Sequence, residues 1–133
     1  MINLNSKIYL AGNKGLVGSA ILRKLRIKGY KNIILVDRKK LDLLNQKKVY
    51  SFLKKKKPKF VFIAAALVGG IYSNSTNKAN FIYQNLTIQN NLIHGAYLAG
   101  IKNLIFLGSS CVYPRLSKQP IKEDYLLSGK LEE

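Results

Sequence analysis

Short apolar runs alternate along this chain with longer segments in which apolar residues recur every three or four positions. Uninterrupted apolar runs are typical of parallel strands covered by helices on both faces, and the longer spacing is typical of amphipathic helices. The spacing predicts helices at about 16–28, 45–56 and 77–99, the last ended by Gly100. The predicted strands are Ile8–Ala11, Ile33–Val36, Phe60–Ala65 and Leu104–Leu107.

The resulting order of elements, β-α-β-α-β-α-β, predicts an α/β fold with a Rossmann-type doubly wound parallel sheet. With right-handed crossovers, we expect the strand order 3-2-1-4 and a binding crevice at the carboxyl ends of strands 1 and 4. The length of 133 residues allows one hydrophobic core but no second domain of ordinary size. The chain is therefore one domain or part of one.

The turn after the first strand carries Gly12, Gly15 and Gly18 directly before an amphipathic helix. In dinucleotide-binding turns, the first glycine permits the tight turn, the second lets backbone approach the phosphates, and the third lets the helix pack on the strand. Amide groups and the helix dipole at such a helix start attract anions. The pattern predicts a pyrophosphate site, and the alternative is a tight corner without a ligand. The predicted cofactor-binding residues here are Gly12, Asn13, Lys14, Gly15, Leu16, Val17 and Gly18.

Charged residues of both signs follow the second predicted strand, where a residue that contacts the adenosine ribose belongs. Asp37 can accept a hydrogen bond from the 2′-hydroxyl of NAD, whereas Arg38 and Lys14 can pair with the 2′-phosphate of NADP. The balance favours NADP, and NAD stays open. Asp37 as a plain turn residue, with Lys14 and Arg38 merely solvated, is the remaining alternative.

A small polar cluster, Gly108–Pro114, follows the fourth predicted strand. The hydroxyl of Ser109 can donate to a substrate carbonyl, and Cys111 can move a proton if its surroundings lower the pKa of its thiol. Spacing alone is also typical of an ordinary turn at a strand end. The cluster is therefore a candidate for chemistry that needs support from other residues.

The chain carries 23 Lys and Arg against 6 Asp and Glu, a formal net charge of +17. Such a charge can indicate a nucleic-acid partner. Here lysines predominate and are spread along the chain, and the densest cluster, Lys54–Lys57, lies at a predicted helix end, where cations favour the helix dipole. We therefore predict a solvated helix end and no nucleic-acid partner, with an anion-attracting surface as the alternative.

No apolar run approaches the roughly 20 residues that a membrane-spanning helix needs, so we predict no membrane partner. The segment Met1–Ser6 lacks the pattern of a secretory signal. Cys111 is the only cysteine, which excludes an intrachain disulfide and suits the reducing cytoplasm. The single histidine, His94, has no ligand-type neighbours in sequence, so we expect a structural role for it and no metal site.

Three stretches carry motifs that together are more specific than the glycine turn alone. They are the turn itself in Ala11–Ala20, Val-Gly-Gly-Ile in Ala64–Ile71, and Gly-Ser-Ser-Cys-x-Tyr-Pro in Phe106–Pro114, which runs on through Lys118–Pro120. With these motifs and the helical block Asn80–His94, nearly the whole chain resembles the N-terminal part of the GDP-L-fucose synthases, a family of extended short-chain dehydrogenase/reductases. The resemblance implies that residues 1–133 are the N-terminal part of a single NAD(P)-binding Rossmann domain, with an incomplete sheet and no substrate-binding region.

The resemblance implies an NADPH-dependent enzyme that epimerises GDP-4-keto-6-deoxy-D-mannose and then reduces it to GDP-L-fucose. It implies that Ser109 hydrogen-bonds the keto oxygen of the GDP-sugar and that Cys111 is the base or proton shuttle. Such roles are reasonable because deprotonation beside a carbonyl needs both a base and a donor that stabilises the enolate. Relatives also suggest a homodimer. The further cofactor-binding residues that it implies are Arg38, Asp42, Leu43, Leu107, Gly108, Ser109 and Ser110.

Three residues depart from the pattern of that family. Lys14 stands in place of the usual arginine, Leu67 replaces a usual lysine, and Asp37 is unusual beside NADP, which leaves the preference between NADP and NAD open. The family's Tyr-x-x-x-Lys pair is expected beyond Glu133. Tyr50 and Lys54 have this spacing but lie in the helix before the third strand, so we expect an ordinary surface pair there.

Two expectations follow from the missing pair and the incomplete sheet. The chain alone should be inactive as a reductase, and an exposed edge beside the fourth strand should make it poorly stable or self-associating. The alternative functions are a non-catalytic dinucleotide-binding remnant and another nucleotide-sugar epimerase or dehydratase.

Overall fold

The computed structural model describes residues 3–132. Residues 1, 2 and 133 lie outside the described residues, and so does the start of the segment for which the sequence predicts no secretory signal. Four strands and four α-helices follow one another in the order β1-α1-β2-α2-β3-α3-α4-β4. Their bounds are β1 Ile8–Ala11, α1 Leu16–Ile27, β2 Ile33–Ile34, α2 Gln46–Lys56, β3 Phe60–Ile63, α3 Ile71–Thr76, α4 Lys78–Leu98 and β4 Asn103–Phe106.

All strand pairs in the sheet are parallel, which confirms the predicted doubly wound α/β fold. The strand order, however, is β2-β1-β3-β4, so the predicted order 3-2-1-4 is wrong. β3 pairs with β1 along four residues, from Ile8–Phe60 to Ala11–Ile63, whereas β2 pairs with β1 along only two. In the predicted order β3 would have β2 as its inner neighbour, which pairs along only two residues, whereas beside β1 all four residues of β3 find partners. The predicted crevice at strands 1 and 4 therefore lies instead where β1 and β3 are neighbours.

The hydrophobic core lies between the sheet and the pair α2 and α4. From β1 and β3 it receives alternate side chains, which are at most 3% exposed, and from the two helices it receives side chains that are fully buried. The alternation arises because successive residues of a strand point to opposite faces. The core side chains from these elements are Tyr9, Ala11, Val61, Ile63, Val49, Leu53 and Leu92.

Helix α1 covers the other face near β1, where Ile8 and Leu10 are fully buried. Crossovers that run in opposite directions from β1 and from β3 place α1 on one face and α4 on the other. The two helices therefore diverge at the carboxyl ends of β1 and β3. Such a divergence opens the crevice in which doubly wound sheets bind ligands.

The helix and strand bounds differ from the predicted ones by at most two residues, apart from one helix that was not predicted. The short helix α3 was not predicted, because four of the six residues of Ile71–Thr76 are Ser, Asn or Thr and too few are apolar to show a period. The predicted helix end at Lys54–Lys57 is confirmed, since α2 ends at Lys56 and Lys57 is its left-handed cap. Among residues 3–132, no helix combines the length and apolarity that crossing a membrane requires.

Candidate cofactor-binding site

The glycine turn joins β1 to α1 and is shaped by two close approaches of backbone to backbone. Gly12 has a φ of +84°, and a Cβ added there would lie 2.3 Å from the carbonyl oxygen of Ala64 at the end of β3. A Cβ at Gly18 would lie 2.0 Å from the carbonyl oxygen of Gly12. Both distances are far below contact distance, so the fold itself requires glycine at these two positions.

Gly15 has no such steric requirement. Its φ of −75° and ψ of 171° are accessible to any residue, and a Cβ there would lie 3.5 Å from the carbonyl oxygen of Gly12, an ordinary contact distance. The residue is the N-cap of α1, and no side chain caps the helix there. The amides of the first helical turn therefore have no intrahelical acceptor, and Gly15 places no side chain beside them. This cradle fits a phosphate group, which such amides bind well.

A cavity of about 400 Å³ lies over this turn at the carboxyl edge of the sheet. Its walls come from the segments that follow β1, β2 and β3, and one side is closed by Gln84 and Ile88 of α4. Of the predicted cofactor-binding residues, those that line it are Gly12, Asn13, Lys14, Gly15, Leu16, Val17, Arg38, Asp42 and Leu43. Gly18 is buried at the contact with Gly12.

Two of the charged residues at this cavity are bound to each other. The ammonium group of Lys14 donates a hydrogen bond to Oδ2 of Asp37, and the two form an ion pair. Oδ1 of Asp37 accepts the backbone N–H of Lys39 at 3.0 Å. The hydrogen bond from Lys14, followed by that from Lys39, lowers the pKa of the Asp37 carboxyl, so this carboxylate stays ionised at neutral pH. Arg38, by contrast, forms no ion pair within residues 3–132.

Two asparagines of α4 that were not predicted from the sequence hold the walls of the cavity. The side chain of Asn85 accepts the N–H of Leu67 at 2.7 Å and donates to its carbonyl oxygen at 2.9 Å. Asn91, only 3% exposed, donates to the carbonyl oxygen of Leu43 at 2.8 Å. Their signal in the sequence is an amide side chain between apolar helix positions, because a buried amide has to find a partner.

The serine cluster lies on the same edge of the sheet but farther from the glycine turn than expected. Because β3 separates β4 from β1, Ser109 does not follow a neighbour of β1, and the segment Leu107–Ser110 does not line the cavity. The N–H of Leu107 donates to the carbonyl oxygen of Ile63 at 3.2 Å, which extends the pairing of β3 with β4. Oγ of Ser109 accepts the N–H of Cys111 at 3.1 Å, so its own hydroxyl proton is left to donate elsewhere.

The remaining candidate residues lie away from the cavity. Cys111 is an exposed free thiol. The hydroxyl of Tyr50 is 2.7 Å from Nδ1 of His94, and the His94 ring stacks on Tyr97, so this tyrosine belongs to the contact between α2 and α4. Within residues 3–132 no three His, Cys, Asp or Glu side chains are grouped in a way that could hold a metal ion.

Comparison with known proteins gives consistent matches over this whole arrangement. The model of the NAD dependent epimerase/dehydratase family matches residues 8–133. The chain is 52% identical over 132 residues to a putative GDP-L-fucose synthase 2 of Arabidopsis thaliana, covering 99% of this chain and 40% of that protein. It is 46% identical over 126 residues to the GDP-L-fucose synthase of Escherichia coli strain K12, covering 95% and 39%.

A solved structure agrees with these sequence matches. It is MlghC, a GDP-mannoheptose C4 reductase from Campylobacter jejuni with NADP bound, which superposes with a TM-score of 0.92 at 46% identity. The match covers 99% of this chain and 42% of that one. The chain thus spans about two fifths of the length of these relatives. With its glycine turn, its parallel sheet and a family match over nearly all of its residues, the chain belongs to the NAD dependent epimerase/dehydratase family.

Proposed function

We propose that this chain is the cofactor-binding part of a GDP-L-fucose synthase and that it binds NADP(H) along the carboxyl edge of the sheet. The observation that carries the proposal is the order of the groups along this edge. Charged residues follow β2, the phosphate cradle follows β1, and the serine cluster follows β4, with β3 between. Adjacent strands are about 4.8 Å apart, so the edge spans about 14 Å from β2 to β4.

That order matches the order of groups in an extended dinucleotide. In the proposed complex Arg38 would hold the adenosine ribose, the amides beside Gly15 would hold the pyrophosphate, and Asp42 and Leu43 would contact the adenine. Ser109 would lie at the nicotinamide end. The fit rests on the absence of a side chain at Gly15 and on the cations at the ribose end, which suit an anionic ligand.

The proposed reaction converts GDP-4-keto-6-deoxy-D-mannose to GDP-L-fucose by epimerisation and reduction. NADPH, when bound, would supply the hydride for the ketone, and in the complete enzyme the tyrosine of the family's Tyr-x-x-x-Lys pair would supply the proton for the reduced oxygen. Ser109 donates its hydroxyl proton to the keto oxygen, and this hydrogen bond stabilises the enolate when a proton leaves the neighbouring carbon. Cys111 takes and returns protons at the carbons beside the ketone. The N–H of Cys111 donates to Oγ of Ser109, which fixes that oxygen as an acceptor and leaves its hydroxyl proton to donate.

The proposal concerns a chain that covers about 40% of its curated relatives. Epimerisation, reduction and the homodimer are therefore proposed for the complete enzyme, and cofactor binding without turnover is proposed for these 133 residues. An exposed reacting thiol at Cys111 has to stay reduced, which supports a cytoplasmic location.

The test measures NADPH binding to the 133-residue chain by nucleotide fluorescence, with Gly15→Ala as the probe. The added methyl group enters the phosphate cradle without a clash in the protein, so NADPH affinity should fall about tenfold or more while thermal stability stays the same. Gly70→Ala is a matched control. Gly70 is also an N-cap without a side-chain cap, its φ of −72° and ψ of 176° are nearly identical, and no atom lies within 4 Å of its added Cβ.

Equal loss of affinity in both variants, or no NADPH binding by the unaltered chain, would contradict the cofactor site. Consumption of NADPH with the keto-sugar by the chain alone would contradict the proposal that it binds without turnover. If this chain binds NADPH tightly, but replacing the serine that matches Ser109 by alanine in a full-length relative leaves turnover unchanged, the result would favour a dinucleotide-binding remnant instead.

A further inference from the structure

The ion pair between Lys14 and Asp37 joins two residues that favour different cofactors. Both line the cavity, at the end where the segment after β2 meets the glycine turn. Lys14 is the cation nearest to the cradle in sequence, and its ammonium group is held by the carboxylate of Asp37. Arg38, which follows Asp37 in the chain, also lines the cavity and has no carboxylate partner within residues 3–132.

A 2′-phosphate entering this end of the cavity meets one available cation and one that is already occupied. To pair with Lys14 it has to share the ammonium group with the Asp37 carboxylate or displace it, and in either case that carboxylate lies beside the phosphate as a like charge. A ribose with a free 2′-hydroxyl meets no such obstacle. The hydroxyl can donate to Asp37, which is ionised, while Lys14 keeps its partner.

We propose that Asp37 is a specificity-determining residue, which holds Lys14 away from a 2′-phosphate and so reduces the preference of this site for NADP over NAD. The inference rests on the proposed cofactor site and adds that the site accepts both dinucleotides. Discrimination is then set by competition between two anions, the carboxylate of Asp37 and the phosphate of the cofactor, for one lysine.

The experiment compares the affinities of the 133-residue chain for NADPH and NADH, and for adenosine 2′,5′-bisphosphate and AMP, by fluorescence and calorimetry. Asp37→Asn keeps the size of the side chain and an oxygen that can accept the N–H of Lys39, so the turn is preserved. We expect it to raise the affinity for NADPH about tenfold and to lower that for NADH about threefold, the scale expected for one charge a few ångströms away. The bisphosphate should gain as NADPH does, because it carries the same 2′-phosphate.

Asp124→Asn is the matched control, since it removes the same charge from an exposed aspartate outside the cavity. It should leave the ratio of the two affinities unchanged. Lys14→Gln should lower the affinity for NADPH. When Asp37→Asn is added to Lys14→Gln, the affinity for NADPH should rise by less than half as much as it does when Asp37→Asn is made in the chain that keeps Lys14. Circular dichroism of each variant confirms that it is folded.

Three results would overturn the inference. If NADPH binds but Asp37→Asn leaves the NADPH-to-NADH ratio within twofold, the inference fails and the proposed function stands. The same holds if Asp124→Asn shifts the ratio equally, because the effect is then one of net charge. If neither dinucleotide binds any variant, the inference and the proposed cofactor site fail together.

Discussion

Two strands of the sheet differ in how completely they are covered: β1 lies in its interior, and β4 lies at an edge of the described sheet. In β1, all four residues are at most 3% exposed, and the turn that follows is closed by contacts of backbone with backbone. In β4, Ile105 is 50% exposed and Phe106 is 43% exposed. The described residues thus cover β1 completely and leave an apolar surface open on β4. The glycine turn can therefore be fully packed in a chain whose outer strand lacks cover from the described residues.

The largest difference between the two strands should appear when one methyl group is added to the glycine that follows each of them, Gly12 after β1 and Gly108 after β4. Gly12→Ala combines a positive φ with a clash against the Ala64 carbonyl, so it should lower the free energy of unfolding by about 4 kcal/mol or more. Gly108→Ala meets no atom within 4 Å and should change it by less than about 1 kcal/mol. Urea unfolding followed by circular dichroism measures both. Equal losses would show that the glycine turn is not sterically special.

Shortening a side chain should also cost more stability in the core beside β1 than on β4. Leu92 is fully buried in the core cluster with side chains of β1 and β3. Leu92→Ala should lower the free energy of unfolding by about 3 kcal/mol, because a cavity remains. Ile105→Ala removes a half-exposed side chain from β4 and should cost about 1 kcal/mol. Chemical unfolding of the two variants gives the comparison. A larger loss at Ile105 than at Leu92 would mean that β4 is covered in solution.

Among residues 3–132, β4 has β3 as its strand neighbour and an unpaired edge on its other side, together with exposed apolar side chains. Such an edge should make the 133-residue chain self-associate. Sedimentation velocity should show species larger than a monomer at micromolar concentrations. Ile105→Lys should shift the distribution toward monomer, because a charge on the exposed face opposes association. Lys47→Ile, an apolar change at an exposed position of α2, is the reverse control and should leave β4-dependent association in place. A monodisperse monomer with cooperative melting would contradict the prediction.

The smallest effect concerns how the ion pair between Lys14, after β1, and Asp37 responds to pH. Because Lys14 lowers the pKa of Asp37 in the folded chain, their ion pair contributes stability above the ordinary pKa of the carboxyl and loses it as pH falls through the lowered value. Both side chains are solvated, so the contribution is small. Lys14→Gln should raise the pKa of Asp37, measured by carbon NMR of the carboxylate. Lys47→Gln should not change it, and an unchanged value in Lys14→Gln would argue against the pair.

Most of the secondary structure was predictable, since the apolar runs are continuous and the glycines, Asn45 and Gly100 mark where elements begin and end. Two exceptions have local causes. β2 was predicted as Ile33–Val36 but pairs only at Ile33–Ile34, because register with β1 cannot be read from an apolar run. The clamp of Asn85 on Leu67 joins residues 18 positions apart, and nothing in the sequence between them indicates that contact.

The sequence by itself determined the elements, the glycine turn and the family resemblance, because each depends on neighbouring residues or on short motifs. Only the tertiary structure decided the strand order, which depends on how much of β1 each possible neighbour can pair with. It also decided that Lys14 and Asp37, which taken separately favour different cofactors, are bound to each other. These two residues are 23 positions apart in the chain. They meet because β1 and β2 pair in parallel, which places the turn after β1 beside the segment that follows β2.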